Sequence, residues 1–277
     1  MAFWERWMGL LRMRQWLHLL PLPIAGYELG ESLWSNVLSL GRGVSIAFCI
    51  LAFGYLLNAV ADREMDLDRR KNPLLEIGTA AGQMWLPLSL LLGIALTLAA
   101  SASSWVLACT MISLVSGCLY SVGPRLKSVP FLGTLMNLTN FVPLLFVGTT
   151  WPTPSPRLIA LATSFGAMLL QNQLIHEAGD APEDRRGGLQ TTFLRAGVRW
   201  TAVLAMACGL AVLTTTVWAA HRLDLSAAIA LHAVPYVVIF PGFLWMQGDD
   251  PPRMQAARQA QRWCAAASGA LLFFGLR

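Results

Sequence analysis

Charge is scarce in this chain. Asp, Glu, Lys and Arg make up 13% of its 277 residues, where an ordinary soluble domain carries about a quarter. Apolar residue types reach 56% and the mean hydropathy is +0.55. This balance excludes a solvated globular domain and implies a polytopic membrane protein. Cysteine offers no framework either: Cys49, Cys109, Cys118, Cys208 and Cys264 stand singly in apolar runs, odd in number and without metal-type spacing, and read as packing residues. A cleavable signal is not expected, because arginines persist to Arg14 and prolines interrupt the first apolar segment. No convincing internal repeat is present, which argues against the repeat architecture of many transporters.

What is there in quantity is membrane-grade sequence. A spanning helix takes about 20 residues, and apolar stretches predict spans near 15–33, 43–62, 84–101, 104–122, 130–150, 156–178, 199–220, 224–246 and 260–276. The expectation is an all-α bundle of nine transmembrane helices in one domain over 1–277. Pro21 and Pro23 should bend the first span or make it partly re-entrant, and Ser101 and Ser104 bound a tight hairpin between the third and fourth.

Under this layout nearly all cations gather on one side. Only Arg42, Arg157, Arg222 and Arg277 fall on the other. The positive-inside rule then places the N-terminus and the loops after even-numbered helices in the cytoplasm and the C-terminus opposite, in an integral protein of a bacterial inner membrane. The net charge of +5 is thus a topology signal, and nucleic acid is not expected as a partner.

The acids segregate too. Eight of the fifteen Asp and Glu lie in two clusters at cytoplasmic span ends: Asp62, Glu64, Asp66 and Asp68, and Glu177, Asp180, Glu183 and Asp184. Asn58, Asp62 and Asp66 are four apart, and at about 3.6 residues per turn they share one helix face. Asp180 and Asp184 repeat that spacing. A helix that merely turns polar as it leaves the membrane accounts for Asp66, with Arg69 and Arg70 as neighbours. It accounts poorly for Asn58 and Asp62, which lie on the same face deeper along the run, Asn58 flanked by Leu56, Leu57, Ala59 and Val60. For the second cluster the plain alternative is stronger: Asp180 with Glu183 reads as the N-cap and capping-box partner of a short loop helix. Gln171, Gln173, His176 and Glu177, embedded just before it, tilt the reading toward a site. Two oxygen-rich faces of this kind suit Mg²⁺ held against phosphate oxygens.

A third polar loop, 118–133, is cationic and aromatic. Gly123 and Pro124 make a turn, and Tyr120, Arg125 and Lys127 could close over an anion; an ordinary inside-positive loop has the same composition. His18, His221 and His232 read as packing or interfacial residues, whereas His176 sits one turn before Asp180. The eleven tryptophans read mainly as interfacial anchors, with Trp16 behind Arg12 set apart.

With these residues assembled, the chain resembles the UbiA superfamily of intramembrane prenyltransferases over nearly its full length. The matching features are Asn58, Asp62 and Asp66 at the end of helix 2, Asp180 and Asp184 followed by the Gly-Leu-Gln-Thr-Thr run at the end of helix 6, the loop with Tyr120, Arg125 and Lys127, and the Arg12 and Trp16 pair before helix 1. It departs from the family pattern at Arg12-Met13, at Asn72-Pro73 after the first basic run, and at His176 and Glu177. The resemblance implies a nine-helix bundle around a central cavity open to lipid. It implies that Asn58, Asp62, Asp66, Asp180 and Asp184 hold two Mg²⁺ on the diphosphate of an isoprenyl donor. Arg12, Arg70, Lys71, Tyr120, Arg125 and Lys127 would bind that diphosphate, and Glu177 or His176 would take a proton from a lipophilic acceptor, with aromatic compounds among the candidates. The competing readings are a UbiA-type terpene cyclase on the same donor and a cation-coupled membrane transporter.

Overall fold

A computed structural model describes residues 3–30, 37–64, 72–78, 80–149 and 155–275. Among these the secondary structure is helical, with no strand. The chain forms two compact units, Met1–Arg125 with Thr139–Pro152, and Leu126–Leu138 with Thr153–Arg277.

The first unit begins with α1 (Phe3–Leu10), α2 (Met13–Trp16) and α3 (Leu22–Gly30). The expected first span is indeed broken. A 3-10 turn, Leu17–Leu19, precedes Pro21, and α3 restarts at Leu22, since proline cannot supply the N–H that would continue a helix. Its long helix is α4 (Val37–Asp62), followed by the short α5 (Pro73–Ile77), then α6 (Trp85–Ala100) and α7 (Ser104–Ser121). The α6–α7 hairpin turns where expected, and Ser103 caps α7 by accepting from the Val106 N–H at 3.2 Å.

α4 is the spine of this unit and packs against α3, α6 and α7. Two glycines set how closely the backbones approach: a Cβ at Gly26 would collide with the Leu145 carbonyl, and one at Gly148 with the Pro23 carbonyl. Trp16 is fully buried, edge-on to Phe48 at 5.4 Å, with its indole N–H donated to the Leu11 carbonyl at 2.6 Å. It is a packing residue of the core.

In the second unit, most of α8 (Leu132–Phe141) leads to α9 (Pro156–Arg186), α10 (Thr192–Arg222), α11 (Phe240–Gln247) and α12 (Pro251–Gly275). α10 is kinked at Gly197, whose φ of 73° suits a residue without a Cβ. A π-helical turn, Pro235–Ile239, precedes α11. α9 is the spine here, packed on α10 and α12.

Buried amides replace apolar contacts along it. The Gln171 side chain donates to the Ala205 and Tyr236 carbonyls, each at 2.7 Å, and Asn172 donates to Gln261 at 2.7 Å while Gln261 donates to the Met168 carbonyl at 2.9 Å. In a medium without water, a freed carbonyl at a π-turn needs such a donor.

Six of the described helical segments are long and apolar enough to cross a membrane: Val37–Asp62, Ala81–Ala100, Ser104–Ser121, Pro156–Arg186, Thr192–Arg222 and Ala227–Gln247. Leu17–Tyr27 and Leu132–Leu145 are shorter apolar helices, and α12 corresponds to the last expected span. The protein is an all-α integral membrane protein.

Candidate functional residues on two helices

The first acidic motif closes α4. Asn58 and Asp62 lie one turn apart on that helix, as their spacing predicts, and α4 ends at Asp62. Asp66, Arg70 and Lys71 lie outside the described residues. Asp62 Oδ1 accepts from the Arg125 guanidinium at 2.9 Å, and Asn58 Oδ1 accepts from the Ser121 hydroxyl at 3.2 Å. The end of α7 and the turn after it thus deliver two donors to the oxygen face of α4.

Arg125 reaches its position at some conformational cost. It follows Gly123 (φ 64°) and Pro124 in a tight turn and itself adopts φ 49°. A non-glycine residue in that region is disfavoured by about 1–2 kcal/mol. The ion pair is partly shielded, with side-chain exposures of 28% for Arg125 and 14% for Asp62, so it is less screened than a surface pair. Tyr120 is half-buried on the last turn of α7. Arg12 sits at the turn into α2, also left-handed, with φ 52°.

The second motif lies within α9. The capping alternative for Asp180 does not hold, because α9 runs unbroken through Pro182 to Arg186 and places Asp180 in its interior. His176, Asp180 and Asp184 therefore form a stripe at four-residue spacing. His176 Nδ1 lies 3.2 Å from Asp180 Oδ2, both side chains 29% exposed. Glu177 points elsewhere: it is buried and accepts from Thr134, Gln173 and the Phe193 N–H. Lys127 is half-buried in the 3-10 turn Leu126–Ser128 of this same unit.

Among the described residues no three His, Cys, Asp or Glu side chains are grouped to hold a metal ion. The donors fit Mg²⁺ in a different sense. The end of α4 and the stripe on α9 each carry hard oxygen donors, and Mg²⁺ is usually held by one or two carboxylates plus substrate phosphates, keeping water, without an all-protein cage.

The Ser121 and Thr134 contacts were not evident from sequence. Ser121 follows Tyr120 and Thr192 belongs to the Gly-Leu-Gln-Thr-Thr run, so the segments stood out although the contacts did not.

The model of the UbiA prenyltransferase family matches residues 19–265. The chain belongs to the UbiA prenyltransferase family. A curated relative, digeranylgeranylglyceryl phosphate synthase of Methanoregula boonei, is 29% identical over 201 residues, which cover 70% of this chain and 64% of the relative's length. Among solved structures, one concerned with digeranylgeranylglyceryl phosphate synthase in membranes superposes with a TM-score of 0.80 at 12% identity, covering 100% of this chain and 99% of the other. A UbiA homologue from Archaeoglobus fulgidus, bound to DMAPP and Mg²⁺, gives 0.75 at 17% identity, with 97% and 99% covered. At such identities the likeness establishes the shared UbiA fold.

Proposed function

We propose that this UbiA-family chain acts as one domain, a Mg²⁺-dependent intramembrane prenyltransferase moving an isoprenyl group from a polyprenyl diphosphate to a lipophilic acceptor. The observation that carries the reading is the end of α4, where Asp62 and Asn58 present oxygens and Arg125 lies 2.9 Å from the carboxylate. An acid and a cation held together at a helix end are what a metal-bound diphosphate requires.

In this reading Asn58, Asp62, Asp66, Asp180 and Asp184 hold two Mg²⁺ with the donor's diphosphate. The ions supply positive charge that makes diphosphate a better leaving group. Arg125 would take diphosphate oxygens in a fork, and Lys127, Lys71, Arg70, Arg12 and the Tyr120 hydroxyl add charge and hydrogen bonds. When the bond between prenyl C1 and the diphosphate oxygen breaks, the electron pair stays with the diphosphate and meets these fixed cations. C1 bonds to the acceptor, whose proton goes to His176 Nε2; Asp180 on Nδ1 orients the ring. The apolar surroundings keep water from the cationic allyl group. The active-site loops and N-terminus face the cytoplasm, following the cation asymmetry.

The name of the curated relative makes a prenylated glyceryl phosphate the first acceptor to try, ahead of aromatic acids and quinone precursors. Lipid mass spectrometry of cells expressing wild type or Asp62→Ala tests the proposal. A prenylated lipid present only with wild type supports it. Cyclised product from labelled donor without acceptor would establish a cyclase, and Mg²⁺-independent ion flux in proteoliposomes a transporter.

A further inference from the structure

Glu177 is the one acidic side chain among the described residues that is buried, at 6% exposure. An ionised carboxylate so placed needs donors. Its Oε1 accepts from the Thr134 hydroxyl at 2.7 Å and from Gln173 Nε2 at 3.3 Å, and its Oε2 accepts from the Phe193 N–H at 3.0 Å. Phe193 is the second residue of α10, where a backbone N–H has no partner within its own helix.

The contacts continue as a directed chain. Since the Thr134 proton points at Glu177, the 2.6 Å contact between the Thr134 and Thr192 hydroxyls takes its proton from Thr192. Thr192 Oγ1 in turn accepts from the Phe131 N–H at 2.8 Å. Phe131 is left-handed, with φ 63°, a conformation a bulky residue keeps only when held. Two residues on, a Cβ at Gly133 would lie 2.9 Å from the carbonyl oxygens of Leu126 and Lys127 and 3.0 Å from Lys127 Cα. The backbone that carries Lys127 therefore rests directly on the segment that Glu177 anchors.

We infer that Glu177 is a positioning residue: it fixes the loop of Lys127 and the start of α10 to the helix bearing Asp180 and Asp184, and exchanges no proton with substrate. The functional half of this inference rests on the proposed role of Lys127 at the donor diphosphate. A neutral amide cannot replace the carboxylate. With its NH₂ in the place of Oε1 it meets the Gln173 amide donor to donor and obliges the Thr134 hydroxyl to turn its proton away. With its NH₂ toward Phe193, two donors face each other.

The test uses full-length protein in proteoliposomes with Mg²⁺, geranylgeranyl diphosphate and a prenylated glyceryl phosphate as acceptor, alongside limited trypsin cleavage after Lys127 in detergent. Glu177→Gln is expected to raise KM for the diphosphate about tenfold with kcat within about threefold of wild type, and to speed cleavage after Lys127 about tenfold. Thr192→Val, which breaks the same chain from its other end, should reproduce both effects, and Thr192→Ser should restore wild-type behaviour. Gly133→Ala should raise KM by displacing Lys127 with the carboxylate intact. A large fall in kcat for Glu177→Gln with KM and cleavage unchanged would overturn the inference in favour of a proton acceptor, and unchanged behaviour in every assay would also overturn it. If wild type turns over no prenyl diphosphate, the prenyltransferase reading fails, while cleavage after Lys127 still decides whether Glu177 holds the loop.

Discussion

The two acidic motifs, at the end of α4 and within α9, have the same four-residue spacing and are held in different ways. At the end of α4, Asp62 depends on Arg125, 63 positions away along the chain and in a strained turn. On α9, Asp180 pairs with His176 one turn earlier on the same helix, inside an element that continues past both. A partner on the same helix comes with the helix itself. A partner in a distant turn must be delivered by tertiary structure, so the first site should be the more fragile to changes in its surroundings.

The deepest break in this comparison comes from the carboxylates themselves. Asp62→Ala and Asp184→Ala are each expected to lower prenyl transfer by about a thousandfold or more, with the protein still folded and inserted, because each would remove a charged ligand of the proposed Mg²⁺. Turnover by the purified variants, with size-exclusion profiles beside it, is the check. Next comes Arg125→Ala, expected to cost about a hundredfold in kcat/KM, because it would remove a cation from the proposed diphosphate site and leaves Asp62 without that partner. Arg125→Lys should restore little, since an ammonium lacks the planar fork. His176→Ala should cost less, on the order of tenfold to a hundredfold in kcat with KM nearly unchanged. Equal losses from Arg125→Ala and His176→Ala would remove the distinction between a delivered and a local partner. The smallest effect expected on catalysis is that of Gln171→Leu, which leaves the Ala205 and Tyr236 carbonyls without their side-chain donor; it should lower thermal stability by about 1–3 kcal/mol and leave KM unchanged.

Much of the architecture was legible because bilayer thickness and helical rise dictate it. The predicted span 104–122 is α7, Ser104–Ser121, and Pro21 breaks the first span for the reason its ring imposes. Asn58 and Asp62 share a face as their spacing requires. Asp180 was harder to place: local sequence supports it as an N-cap, whereas α9 continues through Pro182 to Arg186. α12 begins earlier than the apolar run near 260, because its first turns are amphipathic, burying Met254, Ala257 and Gln261 while carrying Arg253, Arg258 and Arg262. The Glu177 chain was illegible for another reason. Its links join residues 43, 58 and 61 positions apart, and threonine hydroxyls of this kind have no pattern along the sequence.

Mg²⁺-dependent binding of geranylgeranyl diphosphate to the purified protein, measured by equilibrium dialysis for wild type, Asp62→Ala and Asp184→Ala, tests the central claim most directly. The account predicts binding by wild type that chelation of Mg²⁺ abolishes, and loss of that binding in both variants. Undiminished binding by either variant, or wild-type binding indifferent to Mg²⁺, would contradict it.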